Sequence, residues 1–415
     1  MPITLVAVRP GALRDSGCQI SKRAGDADGI MRILRIQDRS IPISRYADPG
    51  VISDALDTSA VAITVDAGHG DTVTGYGFSS VGRFAQSGLI RDRFAPRLLA
   101  ARHTQLADER GDLDPTHAWN CMMKGEKSGG HGERCVAVGA LDMALWDAAA
   151  KLAGLPFYKL LARRFNSGRT CDAAPAYFAG GYLHPDDDLY RLREEIAWAV
   201  DRGFRFFKIK VGASPLHDDL KRIEAVLELV GGGDHLAVDA MNCYDAKSAL
   251  DAARAFSQYG LKWFEDICNP LDYETHARIA DVYEHPIAAG EALFSDADAV
   301  NLFRYGGLRR DRDILVFDPV HCYGLPGFLR IVAAAYEHGW LRQRFWPHGG
   351  HLFGLHLVCG LCLGGAEANP HNFQPFGGFQ DGLHVSGGLA TPPDLPGVGW
   401  ESRPALHDLF ASIRD

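Results

Sequence analysis

Along this chain the spacing of apolar positions changes character twice. From Met31 to about Thr74, short β-type runs at residues 33–36 and 61–65 alternate with Gly/Asp turns, a pattern that predicts an antiparallel meander. From Leu89 to Ala162 the period becomes helical, clearest over residues 136–152, and Gly154 and Pro156 stop that helix. After Ala173, apolar runs at residues 204–211, 236–240, 261–264, 286–289, 314–317 and 344–346 alternate with amphipathic helices such as 218–230 and 246–259. Such alternation predicts a parallel sheet, and six or more units favour a closed barrel. Residues 376–400, rich in Gly and Pro, are expected to leave the barrel and pack against the first domain. The resulting division is an extension over 1–30, expected to be disordered, an α+β domain over 31–160, a barrel over 161–375 and a C-terminal segment over 376–415.

Composition narrows the class of partner. With 47% apolar and 23% charged residues in 415, the chain has the make-up of an ordinary globular protein. A formal net charge of -9 and the lack of any Lys/Arg-rich block argue against nucleic acid or an anionic membrane surface. No run of about 18 apolar residues occurs, because Asp142, Asp147 and Lys151 interrupt the longest candidate. The first 30 residues lack the apolar core of a secretory signal, so a cytoplasmic enzyme is expected. The nine cysteines are scattered, and Cys359 with Cys362 has no second pair to complete a zinc site, which leaves reduced structural thiols as the expectation.

The chemistry lies in what ends the apolar runs: Lys208 and Lys210, then Asp239, Glu265, Glu291, Asp318 and His348. Counted from Lys210 the steps are 29, 26, 26, 27 and 30 residues. One strand-helix unit of a barrel takes about 30 residues, so each residue falls at the C-terminal end of one strand, where barrels build their sites. Asp239, Glu265 and Glu291 then offer three hard oxygen ligands from neighbouring strands, a set suited to Mg2+. Lys208 and Lys210, two apart on a strand, point to one face. Mutual repulsion, a nearby metal and burial are expected to lower a lysine pKa, and Lys210, nearer the strand end, is the candidate base. Lys208 is placed beside the substrate carboxylate. On the opposite side His348 precedes two glycines, and Asp318 can accept its other N–H, fixing the tautomer and raising the imidazole pKa to make an acid. His351 is left as structural.

These motifs, Lys208-Ile209-Lys210, Val238-Asp239-Ala240, Trp263-Phe264-Glu265-Asp266, Ala289-Gly290-Glu291, Phe317-Asp318 and Pro347-His348-Gly349-Gly350-His351, resemble those of the mandelate racemase group of the enolase superfamily over residues 31–410. Gly75-Tyr76-Gly77-Phe78, Gly88-Leu89-Ile90-Arg91, Gly129-Gly130-His131-Gly132-Glu133-Arg134, Arg304-Tyr305-Gly306-Gly307, Phe373-Gln374-Pro375 and Asp394-Leu395-Pro396-Gly397 are most similar to the D-tartrate dehydratases within it. The resemblance implies an α/β fold, a modified (β/α)8-type barrel capped by the N-terminal α+β domain, assembled as a homo-oligomer. It also implies Asp239, Glu265 and Glu291 as Mg2+ ligands, Lys210 as base and His348 backed by Asp318 as acid. Glu367 on the last strand is implied near the substrate carboxylate, and Lys127 as a substrate contact. Met241, Asp266, Val316, His321-Cys322, the loop over residues 45–56 and Ser79-Ser80-Val81 depart from the pattern. The loop departures point to a related hydroxy acid as the alternative to tartrate.

The expected reaction is removal of the proton next to a carboxylate by Lys210, followed by loss of the β-hydroxyl assisted by His348. The substrate is a small hydroxy acid, and tartrate would give oxaloacetate. The same residues on opposite faces would serve a racemase or epimerase, and a catalytically silent acid-binding protein is the alternative from another class.

Overall fold

The computed structural model describes residues 30–46, 56–68, 72–381 and 385–414. Nearly all of the extension over 1–30 and most of the loop over 45–56 lie outside these residues. Strands β1 (Arg32–Ile43), β2 (Leu56–Asp66) and β3 (Thr72–Phe78) form an antiparallel sheet in that order, with Ala62 opposite both Gln37 and Tyr76. Because successive side chains on a strand face opposite ways, Gly75 and Gly77 share one face of β3 and Tyr76 and Phe78 the other. The glycine face receives the helix Arg134–Leu152, in which every residue from Arg134 to Ala150 is buried. The two backbones approach so closely that a Cβ at Gly75 would lie 2.1 Å from the Ala144 carbonyl oxygen. The aromatic face receives the C-terminal helix Pro404–Arg414, whose Phe410 stacks on Tyr76 at 5.0 Å. Cover on both faces explains why β2 carries a nearly continuous apolar run instead of an alternating one.

The C-terminal segment is tied down before it reaches that sheet. Val398 N–H donates to Asp147 Oδ1 at 2.7 Å, and Trp400 Nε1 donates to the Tyr76 carbonyl at 3.3 Å. It also touches the barrel, because a two-residue strand, Leu389–Ala390, pairs antiparallel with Ala174 and Pro175.

Seven parallel strands make the second sheet: β4 (Ala174–Ala179), β5 (Phe206–Lys210), β6 (Leu236–Asp239), β7 (Trp263–Glu265), β8 (Ile287–Ala289), β9 (Ile314–Leu315) and β10 (Ala366–Ala368). β10 returns to pair with β4. Of the expected strand over residues 344–346, Arg344 closes a 3₁₀ turn, Arg342–Arg344, and Phe345 is extended chain that forms a parallel bridge with Leu315. That extended segment closes the ring: Trp346 and His348 donate to Leu315 and Val316 on one side, and Gly364 and Asn369 donate to Phe345 and Gly350 on the other. The barrel therefore has eight staves, one of them without a regular ladder.

Inward-facing residues alternate along each stave, as the pleat requires. In the lower half they are apolar: Tyr177, Ala237, Trp263, Ala288, Ile314, Val316 and Trp346 form a cluster separate from the main core. Trp263 packs edge-on to Tyr177 at 5.2 Å and lies 5.5 Å from Trp346. Nearer the C-terminal ends the next inward positions become charged. The turns leaving three strands are fixed by side chains of Asp245, Asp272 and Ser295, each accepting a backbone N–H at the start of the following helix. Among the described residues no helix is long and apolar enough to cross a membrane.

Candidate active site

The strand period that buries Trp263 also aims Glu265 inward, and the same rule carries Lys208, Lys210, Asp239 and Glu367 into the barrel. Register places Lys210 opposite Asp239 and Asp239 opposite Glu265. Carboxylate oxygens of Asp239, Glu265 and Glu291 lie within 4.8 Å of one another. The lysines interleave with them: Lys208 Nζ is 2.5 Å from Glu265 Oε1, 3.3 Å from Glu367 Oε1 and 3.5 Å from Asp239 Oδ2, while Lys210 Nζ is 2.5 Å from Asp239 Oδ2. Trp263 Nε1 donates to Glu265 Oε2 at 2.6 Å, and Met241 N–H donates to Asp239 Oδ1 at 2.8 Å, so both carboxylates are aimed by their own strands. Immediately beyond, Met241, Asn242 and Asp266 adopt positive φ values of 48°, 60° and 44°, the backbone strain that collects at functional sites.

All-oxygen donors at this separation fit a hard divalent cation such as Mg2+. The lysine expectation included a nearby cation, and without one the balance runs the other way. Burial disfavours both ammonium groups, but the carboxylates outweigh it, Glu265 first for Lys208 and Asp239 first for Lys210, and both pKa values are raised. The two lysines face more carboxylates than the repulsion argument counted. A divalent ion held by Asp239, Glu265 and Glu291 would take up that negative field. Lys208 has no exposed surface, whereas Lys210 keeps 8% and is the lysine that reaches the mouth.

Asp318 lies three residues beyond the end of β9, four staves from β5 in the ring of eight and so across the mouth from the lysines. His348 Nδ1 lies 2.8 Å from Asp318 Oδ2, and its Nε2 lies 3.2 Å from Glu291 Oε2. Burial opposes the imidazolium, but Glu291, Glu367 and Asp318 push the His348 pKa up to about 10. A longer chain of hydrogen bonds stands behind this pair. Gly354 N–H donates to His351 Nδ1, which puts the neutral ring's proton on Nε2, 3.1 Å from Ser80 Oγ. Ser80 Oγ in turn donates to Asp318 Oδ2 at 2.7 Å. His351 also caps the helix Leu352–Leu361, and burial pushes its pKa down to about 4.

Ser80 belongs to the capping domain, so the acid side is completed from outside the barrel. The helix Arg134–Leu152 presses on the loop after Asp318, where a Cβ at Gly139 would lie 1.9 Å from the Val320 carbonyl oxygen. His131 Nδ1 and Arg134 Nε both reach Tyr323 Oη, at 2.8 Å and 2.9 Å. Glu367 lies beside Lys208 and accepts Gly349 N–H at 2.9 Å. Lys127 is not brought into this group: it is exposed, its carbonyl accepts from Arg134, and no ion pair joins it to the site carboxylates among the described residues. The sequence argument missed Trp263, Ser80 and the linking role of His351. Trp263 was detectable as the residue two before Glu265 on the same strand face, but nothing in the local pattern announces Ser80.

Comparison with known families decides the relationship. Residues 191–406 match the enolase C-terminal domain-like family, and residues 49–162 match the mandelate racemase / muconate lactonizing enzyme N-terminal domain. The chain belongs to the mandelate racemase group of the enolase superfamily. It is 30% identical over 298 residues to arabinonate dehydratase of Saccharolobus solfataricus, covering 71% of this chain and 77% of that one. It is 30% identical over 296 residues to L-talarate/galactarate dehydratase of Salmonella typhimurium, covering 71% and 70%. Among solved structures, L-talarate dehydratase from Polaromonas sp. JS666 complexed with Mg and L-glucarate superposes with a TM-score of 0.69 at 25% identity, covering 89% of this chain and 94% of that one. Enolase-superfamily sites pair a Lys or His base with Mg2+, and this barrel mouth brings together two lysines, a histidine and the three carboxylates Asp239, Glu265 and Glu291.

Proposed function

We propose that this enolase-superfamily member is a Mg2+-dependent hydro-lyase that dehydrates a small hydroxy acid to a 2-oxo acid, with D-tartrate to oxaloacetate as the specific reading. The observation that carries it is the placement of one basic and one acidic group on opposite sides of a three-carboxylate cluster. Asp239, Glu265 and Glu291 would hold the ion, and Mg2+ when bound supplies positive charge where the substrate carboxylate becomes an enediolate. Lys210 removes the α-proton. Lys208 and Glu367, buried beneath, fix the electrostatics of the carboxylate end. His348, kept protonated by its acidic neighbours, gives its Nε2 proton to the β-hydroxyl, which departs as water. The enol left behind becomes the 2-oxo acid.

The capping-domain run 129–134, which contacts the loops after Glu291 and Asp318 through His131 and Arg134, supports tartrate by its resemblance. The sugar acids in the relatives' names support a longer substrate, with Lys127 as a contact to its far end. The test is a panel of D-, L- and meso-tartrate and aldonic and aldaric acids with Mg2+, following 2-oxo acid formation. Turnover of D-tartrate alone supports the specific reading, and turnover of a sugar acid alone replaces it. Because a base and an acid on opposite faces can also exchange one proton, optical rotation is read in the same samples. A change of rotation without any 2-oxo acid would mean a racemase or epimerase.

A further inference from the structure

Behind the acid flank stands a histidine that the dehydration chemistry does not use. His321, three residues after Asp318, is 2% exposed, and neither ring nitrogen has a hydrogen-bond partner among the described residues. Its Nδ1 is 3.7 Å from Asp318 Oδ2, too far for a hydrogen bond. Buried imidazoles are ordinarily satisfied on at least one nitrogen, so a ring with both nitrogens idle and a carboxylate beside it is unfinished as the protein stands. What would finish it is visible in the neighbours. Ligand atoms of Asp318, His321 and His348 all lie within 4.8 Å of one another, and the two imidazole rings are 5.7 Å apart between centroids.

We propose that Asp318, His321 and His348 form a second metal site, selective for a borderline-soft divalent cation of the Zn2+ type, and that filling it silences the enzyme. Two ligands each about 2.1 Å from a tetrahedral ion lie about 3.4 Å apart. The observed Asp318 Oδ2 separations, 2.8 Å to His348 Nδ1 and 3.7 Å to His321 Nδ1, bracket that value. Backbone N–H groups of Val320 and His321 hold Asp318 Oδ1 at 2.7 Å and 3.1 Å, so Oδ2, which also accepts from Ser80 Oγ at 2.7 Å, is the oxygen that would coordinate. The donor set separates the two sites chemically: three carboxylates favour a hard ion, and two imidazoles with one carboxylate favour zinc. Zinc at His348 Nδ1 displaces the proton shared with Asp318, so the Nε2 proton belongs to a neutral metal-bound imidazole instead of an imidazolium, too weak an acid to protonate the departing hydroxyl. A fourth position remains for water or an inhibitory anion.

The experiment is equilibrium dialysis of Zn2+ against the full-length protein in saturating Mg2+, without substrate, so that it stands whether or not the dehydratase reading does. Wild type should bind one Zn2+ that excess Mg2+ does not displace, and Glu265→Gln, which alters the other cluster, should bind it equally. His321→Asn should bind zinc at least about tenfold more weakly. His321→Gln, with circular dichroism on both variants, replaces the Asn variant if that one fails to fold. In the active enzyme, zinc inhibition should be reversed by a chelator followed by Mg2+. Displacement of zinc by Mg2+, equal zinc affinity in the folded His321 variant, or no zinc bound would each overturn the proposal.

Discussion

The base flank and the acid flank of the barrel mouth are built in different ways. Lys208, Lys210, Asp239, Glu265 and Glu367 come from β5, β6, β7 and β10, and their partners are one another, the strand-borne Trp263 and the backbone N–H groups of Met241 and Gly349 within the barrel. They need nothing from outside the barrel. The acid flank begins on the segment after β9 and on the irregular stave, but its hydrogen-bond chain passes through Ser80, which the capping domain supplies, to His351 at a helix start. One flank is set by strand register and the other by domain packing. Perturbing the capping domain should therefore disturb protonation of the leaving group while leaving removal of the α-proton intact.

The largest expected effects fall on the base flank and its ion. Removing divalent ions with a chelator should abolish 2-oxo acid formation, and Mg2+ should restore it. Residual turnover in metal-free enzyme would break the reading of Asp239, Glu265 and Glu291. Lys210→Ala should lower kcat by about 10³-fold with its fold intact by circular dichroism, the usual weight of a general base. On the acid flank Ser80→Ala removes one donor to a buried carboxylate and should lower kcat about tenfold, with KM little changed. An unchanged kcat would mean that the capping domain does not tune the acid.

The smallest effect concerns stability, and it also separates the flanks. His351 is neutral in the fold, its pKa pushed down to about 4 by burial from an ordinary value near 6.5. A depressed pKa contributes stability above the unfolded value and loses it as pH falls through the folded one. Between pH 6.5 and 4 this group should therefore withdraw on the order of 3 kcal/mol. Thermal unfolding from pH 7 to 4 should show a steeper loss in wild type than in His351→Asn, which keeps a capping side chain. Parallel curves would show that His351 is not held neutral.

How much of this was legible in the sequence differs between the flanks for the same physical reason. Residues at strand ends recur at the length of a strand-helix unit, so Asp239, Glu265, Glu291, Asp318 and His348 could be read from spacing. β4 and β10 could not, because Ala174–Ala179 ends in no charged residue to mark it and Ala366–Ala368 is three residues with Glu367 at its centre. In the stave before His348 the apolar run at 344–346 marks the extended, bridged residues Phe345 and Trp346, but hydrophobic spacing does not show that Arg344 closes a 3₁₀ turn. Ser80 meets Asp318 across 238 residues of sequence, and no local pattern encodes that contact. The raised lysine pKa values of the ion-free protein were not legible for a related reason: the sequence shows two cations two residues apart, but only the closed barrel shows how many carboxylates face them.

The central claim is that Lys210 takes the α-proton and His348 separately releases the hydroxyl. The direct measurement is exchange of the substrate α-proton with solvent in D2O, in the presence of Mg2+, using the acid that the panel shows to turn over. His348→Asn should exchange that proton while forming almost no 2-oxo acid, and Lys210→Ala should do neither. Exchange at the wild-type rate in Lys210→Ala, or loss of exchange in a folded His348→Asn, would contradict the division of labour between the two flanks.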